Sequence, residues 1–139
     1  MKTKRNIIRF MGKRDHHFRV SIFGSSRIKK SDKIYNEIYH LARMLGEEGI
    51  DVVTGGGPGL MEAANSGHKA GSRESRAHSI GLGITLPKIQ KFNNSLDYQK
   101  TFSRFTGRLD KFTLLSNAVV VAPGGVGTTL ELSALRPKP

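Results

Sequence analysis

Ala118-Val119-Val120-Val121-Ala122-Pro123-Gly124-Gly125-Val126-Gly127-Thr128-Thr129-Leu130-Glu131 joins a continuous apolar run to a glycine-rich turn and then to helix-forming residues. An unbroken run of this kind reads as a strand buried on both faces of a parallel sheet. Gly124, Gly125 and Gly127 leave the backbone without Cβ atoms, so its N–H groups can close around an anion. A helix beginning near Val126 adds its N-terminal partial positive charge, and Thr128 adds a hydroxyl donor. The loop therefore suits a phosphate; the competing reading is a tight strand-to-helix turn. It is not a Walker loop, which ends in Gly-Lys-Ser/Thr. It also departs from the dinucleotide fingerprint, because the loop after the first expected strand, Gly24-Ser25-Ser26, lacks the G-x-G-x-x-G spacing.

The same grammar repeats upstream. Phe18 to Phe23 is a β-branched and aromatic run that stops at Gly24-Ser25-Ser26, as a strand entering a loop does. Ser31 or Asp32 can cap a helix in which Ile34, Ile38, Leu41, Ala42 and Leu45 recur at helical spacing, and Glu47-Glu48-Gly49 closes it. Asp51 to Thr54 is a second strand that runs into Gly55-Gly56-Gly57-Pro58-Gly59, and a helix with Leu60, Ala63, Ala64 and Gly67 on one face follows, with Gly71 as its stop. Ser79 to Pro87 reads as a third strand with close backbone contacts at its glycines. Lys88 to Tyr98 carries no clear period, and Phe102 to Leu115 reads as a helix. Strands alternating with helices predict an α/β fold, a Rossmann-like parallel sheet flanked by helices in three αβα layers. In such sheets ligands bind at the carboxyl ends of the strands, so the loops at 24–26, 55–59 and 123–128 are expected on one edge.

A length of 139 residues suits one domain, since domains typically run about 100 to 200 residues. The 37% hydrophobic content and 16 glycines fit a globular chain with many tight turns. No apolar run approaches the roughly 20 residues of a membrane-spanning helix, and the start lacks the apolar stretch of a secretory signal. Cysteine is absent, which excludes disulfides and thiolate metal sites; the expected location is the cytoplasm. Of the formal net charge of +12, residues 1–30 carry +9, with ten Lys/Arg against Asp15. Residues 1–17 thus form a basic leader, expected to be flexible, ahead of a nucleotide-binding domain over residues 18–139. The leader can reach nucleic acid or another polyanion, or serve as a solvated extension.

Gly24-Ser25-Ser26, GGGPGLMEAAN (residues 55–65), IGLGITLP (residues 80–87) and above all PGGVGTTLE (residues 123–131) resemble the Lonely Guy family. Its members were long mislabelled lysine decarboxylases and include cytokinin riboside 5′-monophosphate phosphoribohydrolases. The PGG-x-GT-x-x-E match is complete, and the resemblance runs from about Val20 to Glu131. It implies hydrolysis of the N-glycosidic bond of AMP or a cytokinin nucleotide, releasing the base and ribose 5-phosphate. The family's motif glutamate falls on Glu131 and its essential arginine on Arg108, as the implied catalytic pair. Gly124, Gly125, Val126, Gly127, Thr128, Gly56, Gly57, Gly59, Met61 and Ser25 are the implied phosphate and nucleotide contacts. The implied partners are a purine nucleoside monophosphate and further copies of the chain in a homodimer or larger homo-oligomer; no metal and no cofactor are expected.

Three departures stand beside this resemblance. Arg108 is followed by Leu109 rather than lysine, and Asn117 stands where an aspartate is common. Family members continue past the motif through further helix and strand units, so the chain is expected to be C-terminally truncated, its sheet lacking its C-terminal strands. Glu131 stands one helical turn beyond Thr128, where a carboxylate can stabilise positive charge on a ribose or orient water. Arg108 can bond phosphate, ribose or the leaving base. Read without the family, each is a solvated helix residue.

Met61 lies beside the glycine loop, where it packs on a base or in the core. Ser25 is placed to touch ribose or phosphate, with no His/Asp pattern of a nucleophile nearby. His16, His17, His40, His68 and His78 show no metal-ligand spacing and read as surface or packing residues. A second functional reading keeps the scaffold without catalysis: a module for a nucleotide, the molybdenum cofactor or single-stranded DNA, the basic leader serving the polyanion.

Overall fold

Period-two apolar residues make the strands and period-3.6 residues make the helices that cover them. The structure, a computed structural model, describes residues 17–85 and 91–123. Strands β1 (Arg19–Phe23), β2 (Asp51–Thr54), β3 (Ser79–Ile84), β4 (Tyr98–Phe102) and β5 (Ala118–Val121) alternate with helices α1 (Lys33–Glu47), α2 (Leu60–Gly71) and α3 (Phe105–Leu115). All pairings are parallel and the sheet order is β4-β3-β2-β1-β5. The basic leader up to His16, the phosphate-loop residues Gly124, Gly125, Val126, Gly127 and Thr128, and Glu131 lie outside the described residues.

Alternation along the strands builds two cores. Val20, Ile22 and Val52 face α1 and α2, joining Tyr35, Ile38, Ala42, Leu60, Ala63 and Ala64. Phe23, Val53, Ile80 and Leu82 face the other way and pack with Phe112 and Leu115 of α3. The fold is therefore the expected three-layer αβα arrangement. Full burial of one such side chain contributes roughly 1.5–3 kcal/mol. Among the described residues no helix is long and apolar enough to cross a membrane.

Several boundaries differ from expectation. The apolar run at Ala118–Val121 is not buried on both faces: β5 is an edge strand with β1 alone beside it among the described residues, and Val119 and Val121 are each 39% exposed. β4 begins at Tyr98, the last residue of the segment that carries no apolar period, and runs through Phe102, the expected start of the helix, so that α3 begins at Phe105 instead. Gln99-Lys100-Thr101 are polar, yet they pair with Gly81, Leu82 and Gly83, while the flanking Tyr98 and Phe102 pack on the α3 core. β3 ends at Ile84, three residues short of the expected Pro87. Asp32 does occupy the N-cap of α1, but its carboxylate accepts the N–H of Lys29 (2.8 Å) instead of capping forward. The end of α1 is a Schellman closure: Ile50 N–H donates to Leu45 (2.9 Å) and Gly49 N–H to Gly46 (3.1 Å).

Helices α1 and α2 touch backbone to backbone. A Cβ at Gly67 would lie 2.1 Å from the Tyr39 carbonyl oxygen, so only glycine permits the approach. Beside it His68 is fully buried, its Nε2 2.7 Å from the Ile50 carbonyl oxygen. A carbonyl only accepts, so Nε2 carries the proton, and the buried Nδ1 finds no partner among the described residues. Burial holds the His68 pKa below its ordinary value, the Ile50 bond opposing only in part.

Gly67→Ala gains about 1 kcal/mol of helix propensity but overpacks a rigid contact, at a cost of about 1–3 kcal/mol or more. The clash wins, and thermal denaturation followed by circular dichroism should show a lower Tm. The neutral His68 sets the sign of a pH effect. Its folded pKa is depressed, so the stabilisation is fully present above about pH 6.5 and declines as the pH falls below that value. Urea midpoints measured between about pH 7 and about pH 5 should fall less steeply for His68→Gln than for the native chain.

Candidate functional site

Because every strand is parallel, the segments that follow β1, β2 and β5 leave from one edge of the sheet. Strand order reverses between β1 and β5, which is the switch point where open α/β sheets form their ligand crevice. Gly24 and Pro123 follow these two neighbouring strands at the same edge, and Asn117 fixes that junction from the other end. Its amide oxygen accepts the Arg19 N–H (2.9 Å) and its own N–H donates to the Arg19 carbonyl (2.8 Å).

The loops after β1 and β2 are latched together. Leu60 N–H donates to the Ser25 carbonyl (3.0 Å). Gly59 has φ +72°, and a Cβ there would lie 2.5 Å from the Ser26 carbonyl oxygen; both the backbone conformation and the contact require glycine. The Ser25 hydroxyl accepts the N–H of Arg27 (3.1 Å), an interaction within its own turn.

A buried polar network holds the Gly55–Gly59 loop from behind. Gly56 N–H donates to Thr54 Oγ1 (2.9 Å), and the Thr54 hydroxyl donates to Asn65 Oδ1 (2.7 Å). Asn65 Nδ2 donates to Ser79 Oγ (2.7 Å). Asn93 Nδ2 donates to Asn65 Oδ1 (3.1 Å) and to the Gly57 carbonyl (3.0 Å), and the Asn93 N–H donates to the Gly56 carbonyl (2.8 Å). The carbonyls of Gly56 and Gly57 are thus turned inward. Neither asparagine had a periodicity signal: Asn65 stands off the Leu60, Ala63, Ala64 and Gly67 face of α2, and the segment of Asn93 shows no period.

Arg108 reaches the same edge from α3. It is 8% exposed, its Nε donates to the Leu82 carbonyl (2.7 Å), and its guanidinium lies over the Phe112 ring (5.3 Å). A Cβ at Gly55 would stand 2.6 Å from an Arg108 Nη atom and 2.8 Å from Met61 Sδ. The fold therefore brings Arg108, Met61 and the 55–59 loop together at the ends of β2 and β3. Arg108 is not the solvated helix residue that its sequence context alone suggests. The expected partners Gly124, Gly125, Val126, Gly127, Thr128 and Glu131 follow β5, outside the described residues.

The histidines need a correction. His17 and His78, read from spacing as unrelated surface or packing residues, converge on Asp51 at the opposite edge of the sheet, and the three ligand atoms lie within 4.8 Å of one another. Positions 17, 51 and 78 form no local motif because strand pairing, not chain proximity, unites them.

The profile of the SLOG cluster4 family matches residues 17–137. A pyrimidine/purine nucleotide 5′-monophosphate nucleosidase of Escherichia coli K12 is 29% identical over 117 residues, which is 81% of this chain and 25% of that protein. The chain thus spans a quarter of the length of the curated relatives it matches. Among solved structures, a molybdenum cofactor binding protein from Rippkaea orientalis superposes with TM-score 0.68 at 21% identity, covering 86% of this chain and 71% of that one. The molybdenum cofactor carrier protein from Chlamydomonas reinhardtii gives TM-score 0.64 at 19% identity, with 86% and 71% coverage. At these identities the likeness is one of fold.

Removing the hub of the polar network tests its role. Asn65→Ala removes the acceptor of the Thr54 hydroxyl and the donor to Ser79 Oγ, both buried, and a buried polar group left without its partner costs about 1–3 kcal/mol. Urea denaturation should report a loss of about 2 kcal/mol or more.

Proposed function

The chain belongs to the SLOG cluster4 family, and on that premise we propose that it hydrolyses the N-glycosidic bond of a nucleoside 5′-monophosphate, AMP first, at the carboxyl edge of its sheet. The observation that supports this most is the buried Arg108, which its α3 carries to Gly55 and Met61 on the edge toward which β5 delivers Pro123. A cation held at such an edge suits a phosphorylated ligand. The resemblance of the E. coli nucleosidase over 81% of the chain supports the same class of reaction.

In this proposal the phosphate rests on Gly124 to Thr128, and the base lies toward Met61 and the 55–59 loop. Water attacks the anomeric carbon, the carbon–nitrogen bond breaks, and the base leaves with its electron pair and takes up a proton. Positive charge grows on the ribose as the bond lengthens, and the Glu131 carboxylate stabilises it and orients the water. Arg108 positions the nucleotide, its own orientation fixed by the Leu82 carbonyl and the Phe112 ring. Two or more copies of the chain complete the site. The products are the free base and ribose 5-phosphate, and a cytokinin nucleotide differs only in the group on the base.

Purified full-length protein incubated with AMP should release adenine and ribose 5-phosphate, measured by liquid chromatography. Glu131→Gln should lower kcat by about 100-fold or more while AMP still binds. Folded protein that binds AMP and releases no adenine would sink the hydrolytic claim.

A further inference from the structure

The edge where the strands begin carries a second cluster. Asp51 opens β2, His78 immediately precedes β3, and His17 stands two residues before β1. Asp51 has no exposed surface, although a buried carboxylate requires strong compensation. His17 Nδ1 lies 3.0 Å from Asp51 Oδ1, and His78 Nδ1 lies 3.8 Å from the same oxygen. The second distance is too long for a hydrogen bond, and His78 Nδ1 is buried with no hydrogen-bond partner among the described residues. Other contacts orient the carboxylate. The His78 backbone N–H donates to Oδ1 (2.7 Å) and Arg19 Nε faces Oδ2 (3.4 Å).

We propose that His17 Nδ1, Asp51 Oδ1 and His78 Nδ1 form a binding site for a divalent ion of the zinc class. Ligand atoms on a tetrahedral zinc with bonds of about 2.0–2.1 Å stand about 3.3 Å apart, and the two distances above bracket that value. Two imidazoles and one carboxylate select a borderline ion over magnesium or calcium, which take oxygen shells. The two rings are stacked, 5.3 Å apart and 14° from parallel, so both lone pairs meet one ion only if a ring turns. His78 is held against the Tyr98 ring (4.9 Å). His17, its side chain 29% exposed, is the ring that swings.

Three protein ligands leave one position open, and the cluster borders a pocket of about 670 Å³. Lys69, Arg73 and Arg76 line that pocket beside His17 and His78, with Asp97 the acidic residue on its wall. The fourth ligand is therefore water or a small anion. Bound metal also ties the chain before β1 to the starts of β2 and β3, which links metal binding to folding. The site lies on the edge opposite the proposed nucleotide crevice and shares no residue with it.

The test uses the full chain stripped with a chelator. Zinc should raise Tm, and cobalt should develop the visible absorption of a low-coordinate site. His17→Ala and His78→Gln should each weaken cobalt binding by about tenfold or more, whereas His40→Ala, which changes an exposed histidine on α1, should leave it unchanged. Circular dichroism of the metal-free variants separates lost ligation from lost folding, and His78→Gln keeps a side chain of similar reach against Tyr98. Native protein without either response overturns the proposal. So does an unchanged cobalt spectrum in the folded His17→Ala/His78→Gln double variant.

Discussion

Strand β1 is hydrogen-bonded on both sides, to β2 through Val20 and Val52 and to β5 through Val20 and Ala118, and the functional geometry follows from that double pairing. Chain that leaves β1 through α1 returns to one side of it, and chain that leaves through β2, β3 and β4 returns at the end to the other side. Right-handed crossovers then place α1 and α2 on one face and α3 on the other. The carboxyl ends of β1 and β5 thus stand side by side at the reversal of strand order, the place where open α/β sheets form their ligand crevice. Asn117 secures the far side: its side chain and backbone close a two-bond ring with Arg19 before β5 begins. An aspartate at this position would offer the same accepting oxygen, so the departure from the family's residue retains the bond to the Arg19 N–H.

Glycines at the carboxyl edge do two different jobs. The expected role for Gly56, Gly57 and Gly59 is contact with a nucleotide, yet their immediate surroundings are other protein atoms. Gly59 makes room for the Ser26 carbonyl, and Gly56 and Gly57 direct their carbonyls at Asn93. Such packing preorganises a loop, because a backbone whose polar groups are already satisfied loses little further entropy when a ligand arrives. Arg108 follows the same logic. Its aliphatic stem and guanidinium are fixed by Leu82 and Phe112 before any anion is present, whereas a lysine in its place could not make the same fork of bonds.

How much of this was legible in the sequence depends on the range of the interaction concerned. Four of the five strands and the face of α2 were readable because period-two and period-3.6 patterns are local properties of burial. β4 was not, since Gln99-Lys100-Thr101 carry polar side chains while their backbones complete the ladder to β3. The burial of β5 was overestimated for a related reason: composition records apolar character but not what covers the strand, and among the described residues only β1 lies beside it. At the site, the resemblance directed attention to Arg108 and the 55–59 loop, and the fold brings those together. Thr54, Asn65, Ser79 and Asn93 were missed because a polar network is defined by partners distant in the chain. His17, Asp51 and His78 lie 34 and 27 residues apart in turn, beyond any spacing rule.

The two edges of the sheet are physically joined through Asn65. From Gly56 the hydrogen bonds pass through Thr54 and Asn65 to Ser79, whose N–H donates to Asp97 Oδ2 (2.7 Å) on the wall of the opposite pocket. Every link is short and three of the residues are fully buried, so the chain acts as a strut rather than a hinge. A strut fixes the depth of the loop at one end relative to the strand starts at the other. It also accounts for a polar core beneath a loop whose glycines alone would leave it with many accessible conformations. The cost of burying Thr54, Asn65 and Ser79 is offset only while all partners are present. The 55–59 loop, the start of β3 and α2 are therefore expected to loosen together when Asn65 is lost.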